Sequence, residues 1–181
     1  MKALLLAAAA LAAGCGSGGM DGSVGGQSLN VQDAVVTTLV GKDGSSAAQV
    51  WVTSASNFCS AAASDTLLKD TRFLILQLGI VAPDGVVVAA DSAGSYTLNP
   101  TKLTAGERVA TVAFFDVGGC VDVRESANSG TVVVTHVKKS STGGIDEMAG
   151  SVGLSFSHGT MQGDFQARGC ASVNPRAASC Q

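Results

Sequence analysis

Charge, aromatic rings, proline and histidine are all scarce in this 181-residue chain. Only 14% of residues are charged and 4% aromatic, and the formal net charge is −3. A weakly acidic chain offers no basic stripe to a phosphate backbone, so no nucleic-acid partner is expected. Few rings leave little to stack on a sugar. Trp51 and Tyr96 are the sole indole and phenol, and a lone Trp ordinarily packs in a core. The apolar runs fall short of the ~20 residues that a membrane-spanning helix needs.

Catalytic signatures are missing as well. Asp91-Ser92-Ala93-Gly94 lacks the leading glycine of a nucleophile elbow, and neither a phosphate loop nor an H-E-x-x-H helix occurs. His136 falls in phase with Val132 and Val134 on an expected strand, and His158 sits at an expected hairpin tip. Nothing in their spacing builds a Ser–His–Asp set. Asp116, Asp122 and Glu125 surround one expected strand end, and Asp146 and Glu147 form a small acidic pair. A calcium loop wants more oxygen ligands in one turn, so a solvated rim is expected. Lys138 and Lys139 read as gatekeepers of a strand edge. No enzyme activity, cofactor or metal follows from these residues.

What the chain does have is glycine, 23 residues of it, and five cysteines. The start reads Met1-Lys2, an apolar stretch from position 3 to 13, then Gly14-Cys15. One positive residue before a short apolar stretch has the form of an export signal. The segment Leu11-Ala12-Ala13-Gly14-Cys15 resembles the lipobox of bacterial lipoproteins, with Ala12 where leucine is commoner. The resemblance implies cleavage after residue 14 and a diacylglycerol thioether on Cys15, with a membrane as partner. Gly16, rather than aspartate, follows that cysteine; by the same resemblance this points to the outer membrane. The competing reading is plain secretion after Ala10-Leu11-Ala12, which would leave Cys15 a free thiol in an oxidising compartment. Residues 16–27 include six glycines among twelve and read as a flexible tether.

From residue 28 the apolar period is two. Val109, Thr111, Ala113 and Phe115 alternate with Ala110, Val112 and Phe114. Val152, Leu154 and Phe156 share a face before Ser157-His158-Gly159, and Met161, Phe165 and Ala167 follow. The run from Arg72 to Val81 is nearly continuous apolar, as in a strand covered on both faces. Turn signals such as Lys42-Asp43-Gly44 and Pro83-Asp84-Gly85 punctuate the strands. A short helix is expected near 57–69, with Ser56 as its N-cap. Together these predict one antiparallel β-sandwich over 28–181, immunoglobulin-like or jelly-roll-like.

Removing Cys15 leaves Cys59, Cys120, Cys170 and Cys180, an even set for disulfides in an exported domain. Sequence leaves three pairings open. Cys59 with Cys120 and Cys170 with Cys180 is preferred, because the second closes a short C-terminal loop. None is spaced as a zinc knuckle. The functional expectation is a membrane-anchored envelope lipoprotein with a non-enzymatic structural or protein-interaction domain, its partner an envelope protein. The alternative is a β-barrel or sandwich that holds a small apolar ligand, suggested by the apolar strand at residues 74–78.

Overall fold

A computed structural model describes residues 18–63, 70–118, 121–141, 143–171 and 173. In chain order its elements are β1 (Met20–Val24), β2 (Asp33–Val40), β3 (Ser46–Thr53), α1 (Phe58–Ala63), β4 (Thr71–Val81) and β5 (Val87–Ala89). Then follow β6 (Gly94–Leu98), β7 (Arg108–Gly118), β8 (Val121–Ser126), β9 (Ser129–Lys139), β10 (Ile145–Phe156) and β11 (Gly159–Gly169). The chain is all-β, as expected, with one short helix among the described residues.

Hydrogen bonding runs β2-β3-β4-β7-β6-β9-β10-β11 and returns from β11 to β2. Pairing is antiparallel except at two seams, β11 on β2 and β6 on β7, each two residue pairs long. The result is sandwich-like. One antiparallel wall holds β9, β10 and β11, the other β2, β3, β4 and β7, and the short parallel seams join them. Joining the walls removes edges that would otherwise recruit other strands.

Period-two alternation fills the space between the walls. Leu74, Leu76 and Leu78 of β4 meet Phe114 of β7 and Met148, Met161 and Phe165 of the opposite wall in one core. The outward residues Phe73 and Ile75 of β4 are apolar too, for a separate reason. Phe73 joins Val35, Trp51, Phe58, Ala62 and Cys170 in a second cluster outside the sheet. Trp51, Phe58 and Phe73 lie 5.4–5.7 Å apart between ring centroids. Helix α1 therefore covers the outer face of β2, β3 and β4 around Val35, Trp51 and Phe73, which explains the doubly apolar start of the run.

Two expectations are corrected here. The tether is shorter than its composition suggests, because Met20–Val24 is a strand paired along β11 from Gly159 to Gly163. Strand β2 covers only Arg168 and Gly169 on that edge, so β1 takes the groups left unpaired. Glycine is required for the approach. A Cβ at Gly163, whose φ is +153°, would lie 1.9 Å from the Gly19 carbonyl oxygen. The second correction is the helix start. Asn57, in the left-handed region at φ 53°, precedes α1, and its carbonyl accepts from Ala61 N–H. Ser56 is not the cap; the side chain that receives a first-turn N–H comes from β2.

Candidate functional site

That side chain is Asp33, buried at the start of β2. Its Oδ2 accepts from Phe58 N–H at 2.8 Å and from the Arg168 guanidinium at 2.9 Å, and its Oδ1 accepts from Ala34 N–H at 2.9 Å. One carboxylate thus joins β2, α1 and β11. The same corner carries a disulfide between Cys59 and Cys170, with Cα atoms 5.8 Å apart. The preferred pairing of Cys59 with Cys120 and Cys170 with Cys180 is therefore wrong. Cys170 follows β11, which the seam with β2 delivers beside α1, and that proximity outweighs the short loop to Cys180. Cys120 and Cys180 lie outside the described residues, as does Cys15.

The scattered polar residues do not converge. His136 is exposed on the outer face of β9, opposite Ala149. His158 is at the β10–β11 turn as expected, but it has a partner: its Nδ1 lies 2.5 Å from Glu125 Oε1. The hydrogen bond from His158 holds the Glu125 carboxyl below its ordinary range. Asp116 is buried and faces Arg72 at 3.4 Å. Asp116 and Glu125 thus serve different partners, and no metal-ligating cluster forms among the described residues; the Asp122 side chain lies outside what the structure describes. Glu147 accepts from Gln166, while Asp146 is exposed. Lys139 bonds Asp91 at 2.6 Å and so ties the end of β9 to the loop before β6. Tyr96 is core, its hydroxyl donating to the Ser92 carbonyl, and burial pushes its phenol above its ordinary value.

A concave feature lies on the outer face of β3, β4 and β7. Register builds it in rows. Gln49, Gln77 and Thr111 are consecutive cross-strand partners, as are Trp51, Ile75 and Ala113. Side chains two apart on a strand share a face, so a polar row lies beside an apolar one. Phe115 extends the apolar part, and the Arg124 guanidinium from β8 stands 5.1 Å over its ring centroid. The groove they line holds about 420 Å³.

Its hydrogen bonds fix which way the amides point. Trp51 Nε1–H donates to Gln49 Oε1 at 2.8 Å, and the Thr111 hydroxyl donates to Gln77 Oε1 at 3.2 Å. Each glutamine therefore keeps its NH₂ as the free end. Asn99 uses its own NH₂ on the Ala127 carbonyl at 2.7 Å, which leaves its oxygen as acceptor. Sequence reasoning singled out Trp51 but not its partners. The signal was Gln49 and Gln77, each polar in the middle of an apolar strand.

Comparison with protein families, curated proteins and solved structures finds no match to this chain.

Proposed function

We propose that the mature chain is a lipid-anchored protein of the bacterial cell envelope, carried by Cys15 and lodged in the outer membrane, with a non-enzymatic binding domain. The observation that supports this most is the Cys59–Cys170 disulfide. Such bonds persist in oxidising compartments and are rare in the cytosol. An exported chain in turn gives the lipobox-like residues before Cys15 a purpose. No described helix is long and apolar enough to cross a membrane; the attachment proposed is by acyl chains on Cys15. Stable anchoring takes more than one chain, which the resemblance supplies.

The fold shapes the consequence. Only Gly16 and Ser17 separate Cys15 from Gly18, and Gly18 already abuts the Asp164 backbone. At ~3.3–3.6 Å per residue that tether reaches about 10 Å. The domain is held close to the bilayer rather than loosely leashed to it. The wall opposite α1 presents small or polar side chains outward, among them Ala149, Ser151, Gly153 and Ser155 on β10. Such a flat face suits contact with an envelope protein. A ligand inside the barrel gains no support, because inward side chains of both walls pack on one another.

Fractionation of cells tests the anchor. The wild-type chain should sediment with outer membranes and resist a high-salt wash. Cys15→Ser should abolish acyl labelling and remove the chain from that fraction. Unchanged fractionation of the variant would refute the anchor, and wild-type recovery in the inner membrane would refute the outer-membrane placement.

A further inference from the structure

The groove over Trp51 continues into a second hollow of about 260 Å³ that shares Gln77, Asn99 and Thr111 with it. The far hollow is apolar, with Val87, Pro100, Leu103 and Val109 among its lining. Leu103 is 47% exposed, so an apolar side chain is left at the mouth with water over it. From Phe115 to Val109 along β7 the combined trough runs for about 20 Å at ~3.3 Å per residue. Its two ends differ in character. At one stands Arg124, which makes no ion pair among the described residues. No Asp or Glu lines either hollow. At the other stand only aliphatic groups.

The middle offers the NH₂ donors of Gln49 and Gln77 beside the acceptor oxygen of Asn99. Gln49 is 6% exposed, and its oxygen is held by the Trp51 indole. Its amide nitrogen has no partner among the described residues and faces the groove that Gln49 lines. Arg108 Nε is the one buried side-chain polar atom left without a partner among the described residues, so the Gln49 nitrogen is open to solvent in the groove and stands as a donor that a ligand oxygen can take from water. A peptide strand is a poor occupant, since strand addition reads unpaired backbone at a sheet edge. This trough lies on a sheet face and offers side chains alone.

We propose that the trough binds a single-chain organic carboxylate. The acid group pairs with Arg124 and receives the glutamine NH₂ donors, and the apolar body lies along Pro100, Leu103 and Val109. The combined size suits a small-molecule site. The site does not depend on acylation of Cys15.

The sole tryptophan supplies the readout, because Trp51 gives the single indole N–H resonance of the chain. The full-length protein in zwitterionic detergent is titrated with 4-phenylbutyrate, 4-phenylbutanol and 4-phenylbutylamine. The acid should shift the Trp51 indole resonance saturably in the millimolar range or below. The alcohol should bind about tenfold more weakly, and the amine should leave the resonance unmoved. Arg124→Gln, at an exposed position, should bring the acid down to the affinity of the alcohol. Leu103→Asp should weaken both, with the amide spectrum otherwise preserved. No shift by the acid up to 10 mM would overturn the proposal. So would equal shifts by acid, alcohol and amine, which would mean apolar adsorption without recognition of the carboxylate.

Discussion

Replacing Cys59 and Cys170 by alanine lowers the melting temperature of the domain by roughly 8–15 °C at this chain length. The bond joins residues separated by 111 positions. Cross-linking so long a loop removes conformational freedom from the unfolded chain, for a ceiling of about 5 kcal/mol in the chain-entropy model. The realised loss is nearer 3–4 kcal/mol, in line with ~2–5 kcal/mol for native disulfides removed from small domains. Cysteine to alanine also trims contacts, since Cys170 packs with Trp51 and Phe73 in the outer cluster. Thermal unfolding by circular dichroism with and without reductant measures the effect. In the same reductant the wild type and the double variant should melt at nearly the same temperature. A double variant as stable as the oxidised wild type would show that the corner does not need the bond. Peptide mapping without reductant should also recover Cys120 joined to Cys180, the pairing that elimination leaves.

Asp33→Ala carries the second large effect, about 3 kcal/mol. The carboxylate is 4% exposed, and its loss strands the Phe58 N–H and the Ala34 N–H together. Hydrogen bonds to charged groups contribute ~1.5–3 kcal/mol each, and a buried donor left without an acceptor costs its desolvation. Arg168 adds less, because its side chain is 50% exposed and water screens it. Urea unfolding should show a lower midpoint at an unchanged slope. Asp33→Asn, which keeps one acceptor oxygen, should recover part of the loss. Because Asp33 and the disulfide hold the same corner, combining Asp33→Ala with the cysteine variant should cost less than the sum. A midpoint for Asp33→Ala within error of wild type would mean that α1 is placed by packing alone.

Much of the fold is legible in the residues. The alternation of Val109 through Phe115 and of Val152 through Phe156 reports a sheet with one buried face. The apolar run around residues 74–78 reports a strand with its inner face buried, while outside it α1 and the outer cluster cover Phe73 and leave Ile75 and Gln77 to line the groove. What escapes has a common cause, namely long-range register. Met-Asp-Gly-Ser-Val at Met20–Val24 looks like linker because glycine is usually disordering. Here Gly22 adopts φ +107° against the Thr160 carbonyl, and only the open edge of β11 reveals the need. Cys170 pairs with Cys59 because β11 and β2 meet in parallel, which no local spacing announces. The groove is hidden for the same reason. Gln49, Gln77, Thr111 and Arg124 come from four strands, and no local spacing shows that they meet on one face. His158 shows the reverse: its turn is evident, but its partner Glu125 lies 33 positions away.

On the proposed reading, Cys15 stands outside the disulfide framework because it is the acylated first residue of the mature chain. Mass spectrometry of the N-terminal peptide from protein extracted out of cells tests it directly. The expected peptide begins at Cys15 and is heavier than its sequence by a diacylglycerol group and further acyl substitution. A peptide beginning elsewhere, or Cys15 recovered without lipid, would contradict it.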